Sequence, residues 1–301
     1  MAEVLIKAFV FVAIILLGYT MRRVGFFKEA EFYTISKIVL KITLPAAIVA
    51  NFSQAVISPS MLLFSLLGFG GGVILILAGF LISAGKSGDE RAFHVLNISG
   101  YNIGNFSMPF AQGFLGPVGV VTTSLFDTGN AVVCLGGSYS VAKMIKGGRI
   151  SLLPIVKTLV KSIPFDAYVV MTVLSLLHIR LPLAVQSFAQ TISGANAFLA
   201  MLMIGVGFKL SGSPGQLGQM AKILSVRYGV SLVLALVFYF CLPFGLEYRR
   251  ALLVLAFSPI ASAAPAFTGE LKGDVGLSSA VNSASIVISI VLMTAVLIFI
   301  S

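Results

Sequence analysis

Long apolar runs alternate with short polar stretches from one end of this chain to the other. Ten runs stand out: Val4–Met21, Ile35–Phe52, Met61–Ala84, Phe93–Phe114, Val118–Ala142, Phe165–Ile179, Leu183–Leu210, Ala221–Leu242, Arg250–Thr268 and Val275–Ile300. Most reach the ~20 residues that a helix rising 1.5 Å per residue needs to cross about 30 Å of hydrocarbon. The sixth is the shortest. The pattern predicts an all-α polytopic membrane protein with ten spans.

Composition sharpens this expectation. Of 301 residues, 58% are hydrophobic and 10% charged, with a mean hydropathy of +1.06. A soluble domain carries roughly 25% charged residues and could not hide so much apolar surface. A soluble enzyme and a disordered chain are therefore excluded. Cys134 and Cys241 lie in apolar runs without a CxxC or Cys/His cluster, so neither a disulfide framework nor a metal site is expected. No cofactor is expected. The first run lacks a basic leader and a cleavage site, and is read as span 1.

The net charge is +10. Because the basic residues sit between apolar runs, they read as topology determinants beside anionic lipid, not as a nucleic-acid surface. Arg22, Arg23 and Lys28 follow span 1; Lys86 and Arg91 follow span 3. Lys143, Lys146, Arg149, Lys157 and Lys161 follow span 5, Lys209 and Lys222 flank the loop after span 7, and Lys272 follows span 9. The alternate loops hold only Arg180, Arg249 and Arg250. The positive-inside rule makes the odd-numbered loops cytoplasmic and turns both termini outward.

The chain also carries an internal echo. RAFHVLNISGYNIGNFSMPF opens span 4 and RALLVLAFSPIASAAPAF opens span 9, and each leads to a Gly-x-Val-Gly turn. Thr34-Ile35-Ser36 and Thr191-Ile192-Ser193 correspond in spans 2 and 7. Residues 1–146 and 165–301, joined by a partly amphipathic segment at 147–164, read as two five-span repeats. An odd number of spans inverts the second copy, a recurring device of secondary transporters.

Within the echo lie the chain's most informative residues. Span 4 holds Asn102, Asn105 and Pro109; span 9 holds Ser258, Pro259, Ser262 and Pro265. Proline removes a backbone hydrogen bond, and freed backbone groups survive in a membrane only inside protein or beside a wet cavity. Two such spans at symmetric positions predict broken helices that cross at a substrate site, the alternative being two packed proline kinks. The N-terminus of a restarted half-helix suits a small anion, and neutral asparagines can bind one without a buried lysine.

These segments resemble the auxin efflux carrier family over essentially the whole chain. LLGYTMRRVGFF (Leu16–Phe27), ISKIVLKITLPAAIVANFS (Ile35–Ser53), the Asn102–Pro109 spacing and APAFTGELKGD (Ala264–Asp274) carry the likeness. The short connection after span 5 fits a bacterial-type member. The resemblance implies crossed, broken helices 4 and 9, a scaffold of helices 1, 2, 6 and 7, and a mobile transport domain of helices 3–5 and 8–10. It implies elevator-like alternating access for an organic anion of the auxin, malate or malonate type. The bacterial inner membrane is the expected location, and a homodimer is an open assembly.

Other polar positions remain. Asp127 is the one carboxylate deep in a span, close to Asn130; at that depth it must be paired, hydrated or protonated, so it is either a proton carrier or a packing residue. Asn282 in span 10 either lines the same cavity or bonds a neighbouring helix. Lys41 either snorkels or draws anions inward. Gly70-Gly71-Gly72 in span 3 reads as close helix packing. The leading function is a secondary transporter of a small organic anion, with proton or sodium coupling open. A sodium symporter like the bile-acid carriers and a ligand-binding sensor are the alternatives. With two histidines and no HExxH, GxSxG or nucleotide-binding pattern, an enzyme is not expected.

Overall fold

The computed structural model describes residues 2–54, 57–149, 152–208 and 214–300. Among these residues the chain is helical apart from turns and short interruptions, and forms no strand. Helices α1 (Ala2–Arg23), α2 (Ala30–Phe52) and α3 (Pro59–Ile82) come first. α4 (Gly88–Ile98) stops, and the chain resumes as α5 (103–115) and α6 (116–145). Then come α7 (Leu152–Leu159), α8 (Ile163–Leu176), α9 (Leu183–Gly207) and α10 (Leu217–Phe240). α11 (Leu246–Ala256), α12 (Ala264–Glu270) and α13 (Val275–Ile300) complete the fold.

By length and composition seven helical stretches can cross a membrane, or eight if α7 and α8, bent by 74°, form one span. The sequence predicted ten, and the difference has two physical sources. The run from Gly88 to Ile145 counts once, although its 58 residues would extend roughly 90 Å if straight, about three bilayer cores. It doubles back where Gly116, at φ +63°, takes a conformation that favours glycine. Its two ends meet: Lys146 Nζ lies 2.6 Å from Asp89 Oδ1. The second source is α11 and α12, which have 11 and 7 residues and are each too short to count.

Contacts sort the connections onto two sides. Arg22 donates to Val206 O (2.8 Å), Lys222 to Ile82 O (3.4 Å) and Lys146 to Leu271 O (2.6 Å), which gathers the basic loops. On the other side Ile57 N donates to Ser175 Oγ (3.4 Å), and the Phe64 ring packs 4.7 Å from Phe244. Lys209 and Leu210, the predicted end of span 7, lie outside the described residues.

Helices meet through glycine. A Cβ on Gly68 of α3 would sit 2.0 Å from Phe126 O, and one on Gly129 of α6 would sit 1.8 Å from Ser65 O. Gly18 of α1 and Gly205 of α9 form a second reciprocal pair, at 2.4 Å from Leu202 O and 2.0 Å from Ile15 O. In lipid there is no hydrophobic drive between helices, so backbone-close packing of this kind holds them together. In the triple-glycine run, Gly71 faces Tyr101 and Gly72 faces Val133, while Gly70 meets nothing within 4 Å. Large apolar side chains such as Phe9, Leu66, Phe188, Phe240 and Phe299 are exposed, as a lipid-facing surface requires.

These contacts give a first prediction. Gly68→Ala and Gly129→Ala each force α3 and α6 apart and destabilise the protein by about 1–3 kcal/mol. Gly70→Ala, whose Cβ meets no atom, leaves stability unchanged or raises it slightly. Thermal melts of the three purified variants check this, and equal melting temperatures for all three would contradict the packing assigned to the pair.

Candidate functional site

Two interruptions meet inside the bundle. Between α4 and α5, residues 99–102 leave the helix; Gly100 sits at φ +71° with Cys134 Sγ so close that a Cβ would lie 2.7 Å from it. Between α11 and α12, residues 257–263 do the same. The interruptions bond directly: Asn102 N donates to Pro259 O at 2.9 Å, Ser107 and Ser258 hydroxyls are 2.7 Å apart, and Asn105 Nδ2 donates to Ser262 Oγ at 3.3 Å.

The prolines take different positions from those their spacing suggested. Pro109 is not at the interruption. It lies buried within α5, between wide π-type turns at Ile103–Ser107 and Ala111–Leu115 that accommodate its missing N–H. Pro259 sits in the second interruption, and its carbonyl receives Asn102. Pro265 is in the first turn of α12, where an absent N–H costs nothing.

Side chains from neighbouring helices satisfy the freed backbone. Asn130 of α6 accepts from Tyr101 N (3.0 Å) and donates to Tyr101 O (2.9 Å), completing both polar groups of that residue. In the second interruption Asn282 of α13 donates to Ile260 O (3.1 Å) and Ala261 O (3.2 Å), and Ser285 accepts from Ile260 N (3.2 Å). Asn282 thus braces the backbone and does not line the cavity.

That cavity, about 290 Å³, is bordered by Asn102, Asn105, Asp127, Asn130 and Ser262. Tyr168, Lys41, Lys161, Ser162, Tyr101 and Cys134 also line it. The first turn of α5 opens onto it and contributes N–H groups that no helical carbonyl can reach. The Asn102 side chain, at 6% exposure, makes no hydrogen bond among the described residues; Asn105 Oδ1 is buried without a partner. Asp127 accepts from Asn130 Nδ2 (2.8 Å) and Tyr168 OH (3.0 Å), and none of the ion pairs among the described residues reaches it. The predicted residues Asn102, Asn105, Ser262, Asp127 and Asn130 are therefore gathered in one place. Ser258 and Pro259 hold the interruptions together behind the cavity.

Three side chains escaped the sequence reading. Tyr168 and Lys161 come from the α7–α8 region, whose fold the hydropathy pattern left open. Arg227 was legible as a charge inside the apolar run of α10, a signal of function in a membrane helix. It is fully buried and donates to Ile98 O (2.7 Å) and Ser258 O (2.9 Å).

The Asn130 bridge gives a second prediction. Asn130→Ala leaves the buried N–H of Tyr101 unpaired and takes one of two N–H donors from its C=O, Ile103 N remaining at 3.0 Å, and lowers stability by about 1–3 kcal/mol. Asn130→Asp does no better, because a carboxylate cannot donate to Tyr101 O and stands beside Asp127. Melting temperatures of both variants against the parent chain measure this; an unaltered Asn130→Ala protein would show that the bridge is dispensable.

No curated protein matches the chain. A family model described as membrane transport protein matches residues 4–147, just under half of the sequence. The matched stretch includes the first interruption, Asp127 and Asn130, and it places residues 4–147 in the family of membrane transport proteins that includes the auxin efflux carriers.

Proposed function

We propose that this protein is a secondary transporter that carries a small organic anion through the membrane, binding it where the two interrupted helices meet. The observation that carries the reading is the composition of that cavity. It combines the N-terminal turn of α5, the Asn102 amide, which makes no hydrogen bond among the described residues, and Lys41 and Lys161. An anion finds donors and positive potential there without a buried lysine to desolvate. Asn105, Ser262 and the chain at Ala261 and Ala263 complete the site.

Asp127 gives the site a way to couple. Ionised, it opposes an anion in the same cavity; protonated, it does not. Binding of proton and anion then favour one another, and by linkage the coupling is reciprocal. Tyr168 and Asn130 hold the carboxyl in place through either state. The substrate class is a carboxylate of the auxin, malate or malonate type.

The architecture proposed with this function has ten spans. α4 with α5 forms the fourth and α11 with α12 the ninth, while α6, α8 and α13 form the fifth, sixth and tenth. Asn130 and Asn282 brace the two interruptions from the last helix of each half, which supports two inverted repeats. Packing supports the two-body division. α1 packs on α9, and α2 on α8 and α9; α3 packs on α4 and α6, α10 on α11, and α12 on α13. The first group is the scaffold, and the second moves as the elevator. With the basic loops cytoplasmic, both termini face outward, and the cavity, bordered by Lys161–Phe165, opens inward in the bacterial inner membrane.

Uptake of labelled carboxylates into liposomes holding the purified chain, driven by a pH gradient, a sodium gradient or neither, tests the proposal. Substrate accumulation driven by the pH gradient is expected. Sodium-driven uptake would favour a symporter of the bile-acid-carrier type, and binding without uptake would favour a sensor. Asp127→Asn abolishes pH-driven accumulation while leaving exchange partly intact. Asn102→Ala removes one hydrogen bond to a charged group, worth about 1.5–3 kcal/mol, and weakens binding roughly ten- to hundred-fold. An Asn102→Ala affinity within about twofold of the parent would remove that residue from the site.

A further inference from the structure

Against the ring of Tyr101, which borders the cavity, stands the buried Arg227, itself outside the cavity lining. Its guanidinium bridges the two interruptions. Nη1 donates to Ile98 O, the last residue of α4, and Nη2 to Ser258 O, just beyond the end of α11. Its carbon lies 4.5 Å from the centre of the Tyr101 ring. Among the described residues no ion pair includes it. A buried charge without a carboxylate is costly unless other charge compensates it. Here the compensation is the C-terminal ends of two half-helices. Each carries about half a negative elementary charge, so together they match one cation. The face of Tyr101 adds a cation–π contact.

Unwound carbonyls and half-helix C-termini are also the groups with which membrane transporters hold a sodium ion. We propose that Arg227 is a resident cation, tethered to α10, that occupies the place of such an ion and assembles the two interruptions without metal. It is a positioning residue: it fixes the carbonyls of Ile98 and Ser258 and the ring of Tyr101, and none of these contacts lies on a substrate. A sodium ion can be lost to a low-sodium compartment, whereas a tethered guanidinium cannot. The crossover is then permanently assembled, and the coupling ion is left to be bound at the cavity. The meaning for coupling rests on the transporter reading above. The contact itself does not.

The test is thermal stability of the purified full chain in sodium chloride, choline chloride or guanidinium chloride at equal, low ionic strength. The parent chain is expected to melt at the same temperature in sodium and choline. Arg227→Ala is expected to melt about 5–10 °C lower, and millimolar guanidinium is expected to raise that variant, saturably, without raising the parent. Arg227→Lys is expected to keep most of the stability and to remain indifferent to sodium. Selective guanidinium rescue is a response that a merely space-filling side chain would not produce. Selective stabilisation of the parent by sodium would overturn the proposal, as would an Arg227→Ala protein that is undiminished or that guanidinium fails to rescue. Should Arg227→Ala not fold, the parent and Arg227→Lys decide: indifference of both to sodium upholds the proposal, and a sodium requirement in either overturns it. Failed uptake with intact rescue would sink the transporter reading and leave the role of Arg227 standing.

Discussion

Every peptide group freed by an interrupted helix needs a partner inside the protein, because hydrocarbon offers none. Each freed N–H or C=O left bare would cost about 1–3 kcal/mol, and two interruptions free several. The polar side chains buried in this fold largely answer that requirement. Asn130 completes Tyr101, Asn282 and Ser285 complete Ile260 and Ala261, and Arg227 receives the carbonyls of Ile98 and Ser258. The two interruptions also satisfy each other, through Asn102 N and Pro259 O. The site exists because the backbone was opened, and it is stable because neighbouring helices supply amides, hydroxyls and a guanidinium at the right depth.

The same geometry sorts charge. Each interrupted helix has a first half whose C-terminus turns towards Arg227, and the second half of the first such helix begins at the cavity. Positive potential from the amides of α5 therefore faces the cavity, and negative potential from α4 and α11 is taken up behind it. Tyr101 stands between the two regions, its backbone fixed by Asn130 and its ring against Arg227. A cavity able to hold an anion and a site able to hold a fixed cation are thus two faces of one pair of breaks.

How much of this was legible depended on the kind of signal. Apolar runs of about 20 residues identify helices in lipid with little ambiguity, because only length and hydropathy matter there. The internal echo pointed to breaks in spans 4 and 9 that meet, but the partners within that meeting, Asn102 with Pro259 and Asn105 with Ser262, had no signature in the sequence. Proline misled in detail. Pro109 removes a hydrogen bond, but π-type turns on either side absorb the loss, and the helix opens instead at Gly100, where a glycine conformation and the nearby Cys134 leave no room for a side chain. Tyr168 was invisible because its partnership with Asp127 depends on how α7 and α8 bend, which no periodicity in the sequence encodes. Arg227 was visible as a charge in an apolar run. Its partners are backbone carbonyls, which have no sequence signature.

Moving one body past another sets a final condition on these interactions. The groups that hold the interruptions must travel with them, or each cycle would break buried hydrogen bonds. Asn130 lies on α6, Arg227 on α10, and Asn282 and Ser285 on α13, all in the body proposed to move. By contrast, Lys41, Lys161 and Tyr168 reach the cavity from α2 and the α7–α8 segment, in the body proposed to stay. Gln112 of α5 is bonded across the proposed sliding boundary to Ser193 and Asn196 of α9, and at the cavity the boundary is also crossed by the hydrogen bond from Tyr168 to Asp127. It is the contact at the cavity that displacement must break, and it involves the carboxyl proposed to bind the proton. Protonation and movement then act on the same bond: a neutral carboxyl holds a phenol less strongly than a charged one, because charge-assisted hydrogen bonds are about twice as strong. On the proposed reading, a proton arriving at Asp127 both removes its repulsion of the anion and loosens the carrier from its scaffold.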